Sequence, residues 1–149
     1  ARLHLQVLGE VRRRLGAKLL VFVRLGMHDE TPGGLELEVA LRVAVRLAES
    51  GADLIDVSGG LQGARGIGKG PGYFVPYAAA VKKCVRVPVI VTGGIREPTF
   101  ADRIVREGQA DLVGIGRAML EDPDWPRKAI QALSAGFAGT AQPDRVHKS

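Results

Sequence analysis

Two short runs of bare backbone carry the most chemical information in this 149-residue chain: Val91-Thr92-Gly93-Gly94-Ile95 and Val113-Gly114-Ile115-Gly116-Arg117. Each follows an aliphatic run that reads as a strand, so each sets glycine at a strand's C-terminal end. Peptide N–H groups there approach an anion with no Cβ in the way, and a helix opening after each turn adds the positive end of its dipole. A strand-end glycine is a common turn residue on its own. Two such turns on adjacent units fit one shared phosphate.

Arg24 is the next informative residue, a guanidinium inside the otherwise apolar run Leu19-Leu20-Val21-Phe22-Val23-Arg24-Leu25. Burying it without a partner would be costly. At a strand's C-terminal end it can meet a ligand's carbonyl or developing anion. The alternative is a salt bridge to Asp56, the equally odd acid of the next strand. The ligand reading is preferred, because an ion pair alone leaves unexplained why both charges sit near one end of the sheet. A further pattern, Gly63 to Lys69, matches GxxxxGK, but Gly70 stands where a phosphate-binding loop needs Ser or Thr, and Pro71-Gly72 follow in place of a helix. It reads as a mobile loop that lids whatever binds at the strand ends.

The elements that must position these residues follow from periodicity. Helices are predicted over 3–15, 35–50, 75–85, 97–107 and 124–133, and strands over 19–25, 53–58, 88–92 and 111–115. Glu38, Arg42 and Arg46, four apart, mark the wet face of the second helix. Ser50-Gly51-Ala52-Asp53-Leu54-Ile55 and Gly108-Gln109-Ala110-Asp111-Leu112-Val113 echo each other, as stacked βα units do. The sum is an α/β fold with four parallel strands and intervening helices over residues 1–135, then a loose tail over 136–149. A full eight-unit barrel takes about 250 residues, so this is a little over half of one. If the units curl in one sense, the sheet's inner face and both edges need a partner.

Composition bounds the rest. The chain is 46% hydrophobic and 25% charged, the profile of one ordinary soluble domain, and no run approaches the ~18 apolar residues of a membrane span. The start lacks a signal peptide's apolar core, so cytoplasmic placement is expected. A chain that opens with Ala1 inside a helical pattern reads as processed, engineered or cut from something longer. The net charge of +5, carried by fifteen arginines against six lysines, favours anionic ligands such as phosphates. Neither a nucleic-acid nor a membrane partner is expected. The single cysteine, Cys84, excludes a disulfide framework and any multi-thiolate metal site made by one chain, and it reads as an ordinary buried thiol. No metal site is expected.

The ordered series Val-Phe-Val-Arg-Leu, Asp-Leu-Ile-Asp-Val-Ser-Gly-Gly, Pro-Gly-Tyr-Phe-Val-Pro-Tyr, Pro-Val-Ile-Val-Thr-Gly-Gly-Ile-Arg, Ala-Asp-Leu-Val-Gly-Ile-Gly-Arg-Ala and Asp-Pro-Asp-Trp-Pro-Arg-Lys-Ala resembles the C-terminal half of the Old Yellow Enzyme family over residues 3–133. These are FMN-dependent NAD(P)H:flavin oxidoreductases, or ene-reductases, on a TIM (β/α)8 barrel. The resemblance implies that Arg24 contacts the N1/O2 side of the flavin ring and stabilises the negative charge of the reduced form. It implies that Gly93, Gly94, Gly116 and Arg117 hold the FMN phosphate. It implies a reaction in which NAD(P)H reduces FMN, and FMN reduces an activated alkene such as an enone.

The family's substrate-binding His pair and tyrosine proton donor belong to the first half of the barrel, and nothing in this chain matches them. His28 lies in a loop, His4 in a helix and His147 in the tail, so no catalytic residue is assigned. The implied partner is the missing N-terminal half-barrel or a second copy. Two other readings stay open: another phosphate-binding barrel, with a sugar-phosphate substrate, and a non-catalytic half-barrel that self-assembles.

Overall fold

The computed structural model describes residues 2–61 and 70–138. Along them run α1 (Arg2–Leu15), β1 (Phe22–Gly26), α2 (Leu37–Glu49), β2 (Leu54–Ser58), α3 (Val75–Lys82), β3 (Val89–Val91), α4 (Pro98–Arg106), β4 (Leu112–Val113), α5 (Arg117–Glu121) and α6 (Trp125–Ala138). The strands form one parallel sheet in the order β1-β2-β3-β4. The expected class, four parallel strands with helices between them, is the one observed.

Register sorts the strand residues onto two faces. Phe22 pairs with Leu54, Val23 with Ile55 and Arg24 with Asp56, and Asp56 and Ile90 continue the row to Leu112. Leu25, Ile55, Val57, Val89 and Val91 are buried on one side, in a core that also takes Ala40, Ala44 and Leu47 of α2, Ala78 and Val81 of α3, and Ala101 and Ile104 of α4. Those helices turn the other way what the core cannot hold. Glu38 and Arg42 of α2 stay exposed and pair at 2.6 Å. The opposite face of the sheet carries Phe22, Arg24, Asp56, Ile90 and Leu112. Leu54 alone there is buried, while Phe22 is 59% and Leu112 48% exposed. This face is the one that a complete barrel would close upon itself.

The sequence echo is also a structural repeat. Asp53 donates its N–H to Val21 O and accepts the N–H of Val21 on its carboxylate, at 2.9 and 2.7 Å. Asp111 does the same with Val89, at 2.9 and 2.8 Å. Each aspartate thus clips the start of its own strand to the one before. A base from an earlier helix completes each clip: Arg12 of α1 beside Asp53, and Lys82 of α3 at 2.7 Å from Asp111. Gly51 and Gly108, with φ of 101° and 67°, release the preceding helices into these turns.

Several boundaries move. β1 begins at Phe22, three residues later than expected, because the segment before it is held by side chains: Arg12 Nη1 donates to Leu19 O at 2.7 Å and Asp53 takes the N–H of Val21. Leu19 and Leu20 are consequently exposed, where a buried strand was expected. β4 is two residues long and, among the described residues, is paired on one side only. The short helix α5 was not expected. α6 continues to Ala138, past the expected start of the tail at 136; residues 139–149 lie outside the described residues, as do residues 62–69 of the glycine-rich loop. Cys84 is exposed, correcting the buried-thiol reading, since it falls in the turn after α3 and its N–H donates to Val81 O at 2.8 Å. Among the described residues no helix is long and apolar enough to cross a membrane, and no cluster of His, Cys, Asp or Glu could hold a metal.

At the strands' C-terminal ends the buried Asp29 joins two loops. Its carboxylate accepts the N–H of Leu35 at 3.0 Å and that of Leu61, and Gly60 N–H donates to His28 O at 2.8 Å beside it. These backbone donors, Leu35 foremost, hold its carboxyl below the ordinary value of 3.8. A depressed folded-state value means that the stabilisation is complete above the unfolded value, near pH 4, and is lost as pH falls through the folded one. Asp29→Ala should therefore lower the melting temperature at pH 7 and flatten its dependence on pH between 5 and 2. Thermal melts of the two proteins across that range check this.

Candidate anion-binding cleft

The same ends of the strands open on a cleft of about 500 Å³. All five residues singled out from the sequence line it: Arg24 from β1, Gly93 and Gly94 after β3, and Gly116 and Arg117 after β4. Residues more than ninety positions apart meet there because parallel strands in sequential order deliver their C-terminal ends side by side. The cleft also takes in Ser58, Tyr73, Phe74 and Thr92, which no residue-level argument singled out. Tyr73 and Phe74 stood in the motif Pro-Gly-Tyr-Phe without a role attached.

Gly93 and Gly94 have φ of 112° and 69°, a region closed to most side chains. Their surroundings are as restrictive. A Cβ on Gly93 would lie 2.8 Å from the Tyr73 ring, and one on Gly94 3.1 Å from it. Gly116 differs, since a Cβ there would meet nothing within 4 Å among the described residues. The protein therefore demands glycine at 93 and 94, while at 116 the space is open to a ligand.

The helix-dipole part of the expectation needs correction. α4 starts at Pro98, four residues beyond Gly94, with Glu97 at its cap. Proline brings no N–H and glutamate brings negative charge, so that terminus offers an anion little. Gly116 does precede α5 directly, but α5 has five residues. The attraction rests on the turn amides and on Arg117.

Two arginines near the turns have different fates. Arg96 is bound to Glu121 by paired hydrogen bonds of 2.5 and 2.7 Å, and its carbonyl accepts Trp125 Nε1–H at 2.6 Å. These bonds hold the Glu121 carboxyl below its usual range, with the charge of Arg117 adding to the effect. Arg96 thereby ties the β3 turn to α5 and α6. Arg117 makes no ion pair among the described residues, and its Nη2 lies 3.5 Å from the Tyr73 hydroxyl. A cation left to the cleft, beside open backbone, is what a phosphate requires.

Arg24 makes the ion pair that had been set second. Its Nη1 donates to Asp56 Oδ2 at 2.5 Å and its Nη2 to Ser58 Oγ at 3.1 Å. The pair does not retire it from the cleft. Its side chain stays 54% exposed, and a guanidinium has donors beyond the two used here. His28 does not reach the cleft; it is half-buried, 6.4 Å from the Tyr77 ring, with Nδ1 at 3.8 Å from Glu36. His4 is exposed on α1, and His147 lies outside the described residues.

Comparison with known proteins gives a consistent picture. Residues 1–135 match the sequence profile of the NADH:flavin oxidoreductase / NADH oxidase family. An NADH oxidase of Thermoanaerobacter brockii is 35% identical over 86% of this chain and 20% of its own length. An NADPH dehydrogenase of Bacillus pumilus (strain SAFR-032) is 37% identical over 85% of this chain and 37% of its own. The chain thus spans a fifth to somewhat over a third of these relatives. In fold it is similar to a 2-naphthoyl-CoA reductase, with a TM-score of 0.80 and 23% identity over 88% of this chain and 21% of that one. That likeness shows the fold, that of part of a TIM barrel.

Proposed function

As this chain belongs to the NADH:flavin oxidoreductase / NADH oxidase family, the Old Yellow Enzyme family of the sequence motifs, we propose that its cleft binds FMN and forms the phosphate-holding part of an NAD(P)H-dependent ene-reductase. One observation carries the reading: Arg24, Gly93, Gly94, Gly116 and Arg117 line a single cleft of about 500 Å³. The residues present suit FMN. Open space at Gly116 and an arginine with no ion pair among the described residues suit its phosphate, and Arg24 stands across the cleft on β1.

When bound, FMN supplies the two-electron chemistry that couples oxidation of NAD(P)H to reduction of an activated alkene such as an enone. The chain's own contribution is binding and electrostatics. The turn amides and Arg117 fix the phosphate, which orients the rest of the molecule along the cleft. Arg24, braced by Asp56 and Ser58, presents positive charge to the part of the ligand that gains negative charge on reduction. The proposal includes a completing partner for the open face of the sheet, the N-terminal half of the barrel or a second copy. It keeps the cytoplasmic placement, where NAD(P)H is available.

Flavin absorbance of the purified protein separates this reading from a sugar-phosphate barrel, which would carry none. Arg24→Ala tests it further. The substitution should make the midpoint potential of bound FMN more negative by about 30–60 mV, the two-electron equivalent of about 1.5–3 kcal/mol, while FMN stays bound. An unmoved potential would make Arg24 a structural ion-pair residue only.

A further inference from the structure

We propose that Tyr73 is a positioning residue of the cleft and acts through Arg117. This inference rests on the phosphate reading given above.

Tyr73 sits between β2 and α3, and its backbone surroundings are fixed. Gly72 N–H donates to Gly93 O at 2.8 Å, which pins the segment to the β3 turn. The Tyr73 ring packs edge-on against Phe74, with centroids 4.6 Å apart and planes at 81°, and Phe74 is buried in the core. From that base the ring straddles both glycines of the turn. Its Cδ2–Cε2 edge lies over Gly93 and its Cδ1–Cε1 edge over Gly94. The hydroxyl then projects toward the other turn, where it is in reach of Arg117 Nη2 at 3.5 Å.

One side chain therefore lies over the β3 turn and touches the arginine that follows the β4 turn. Arg117 is long and exposed, and it has no carboxylate partner among the described residues. Ordering such a side chain on ligand binding costs conformational entropy. A hydroxyl that accepts one of its N–H groups lowers that cost and leaves the remaining donors to the phosphate. The contact is long for a hydrogen bond, so it restrains the guanidinium without competing with an anion for it. A carboxylate in the same place would neutralise the charge, as Glu121 does for Arg96.

The test uses the full chain stripped of flavin and titrated with FMN and with riboflavin, which lacks the phosphate. Tyr73→Phe keeps the ring over the glycines and removes the acceptor; circular dichroism verifies its fold. FMN affinity should fall about threefold to tenfold, the usual range for one hydrogen bond, with riboflavin affinity unchanged. In an Arg117→Ala background the same substitution should cause no further loss, because its effect passes through Arg117. Equal losses for FMN and riboflavin, or losses that add across the two substitutions, would overturn the inference. So would a Tyr73→Phe protein that keeps the full preference for FMN. A wild-type protein with no preference for FMN over riboflavin would instead sink the phosphate reading itself, and this inference with it.

Discussion

Gly94→Val is expected to abolish retention of FMN, with affinity reduced at least about a hundredfold, equivalent to about 3 kcal/mol. Two physical effects combine. A β-branched residue at a φ of 69° is strained by about 1–2 kcal/mol, and its Cβ would stand 3.1 Å from the Tyr73 ring and 3.4 Å from Gly70 O. The turn must shift to relieve both, and its amides shift with it. Gly116→Val is the companion that separates turn geometry from ligand space. There the added side chain meets no atom of the described residues within 4 Å of its Cβ. Folding should be unaffected, while the side chain occupies the approach of the phosphate and FMN affinity falls about tenfold or more. Fluorescence titration with FMN, with melting temperature measured alongside, reads both outcomes. If both variants bound FMN as the wild type does, the site would lie elsewhere.

The second large effect concerns the chain purified by itself. Phe22, Leu112 and, just ahead of β1, Leu20 at 74% exposure stand on or beside the open face of the sheet. Burying an apolar side chain of this size is worth about 1.5–3 kcal/mol, so covering these few approaches the ~5–15 kcal/mol net stability of a domain. Among the described residues β1 and β4 are also unpaired on their outer sides. Parallel edge strands of this kind recruit another chain. The isolated chain should therefore sediment as a dimer or larger, or behave as a partly molten species. It should reduce no enone with NAD(P)H and FMN beyond the flavin-only background, since the residues implied for substrate binding and protonation belong to the other half of the barrel. A sharp monomer with cooperative unfolding, or clear enone turnover, would show that the half-barrel suffices.

The sequence by itself determined the helix–strand alternation as far as β4, the parallel class and the five cleft residues. Those rest on local physics. The helix–strand alternation is carried by a change of apolar period, and Asp53 and Asp111 announce strand starts because each sits between a helix-ending glycine and an aliphatic run. Glycines after a strand signal a turn with exposed amides for the same local reason. Tertiary structure decided whatever depends on neighbours distant in sequence. Leu19 and Leu20 pattern as strand, yet Arg12 and Asp53, from other elements, claim the backbone beside them. Whether Arg24 serves a ligand or Asp56 was undecidable from one strand, because register sets them side by side and exposure leaves the guanidinium open to the cleft. Arg96 and Arg117 look equivalent in sequence, each close behind a glycine turn. Only the placement of Glu121 commits the first to an ion pair, while the second makes none among the described residues and has the Tyr73 hydroxyl 3.5 Å from its Nη2.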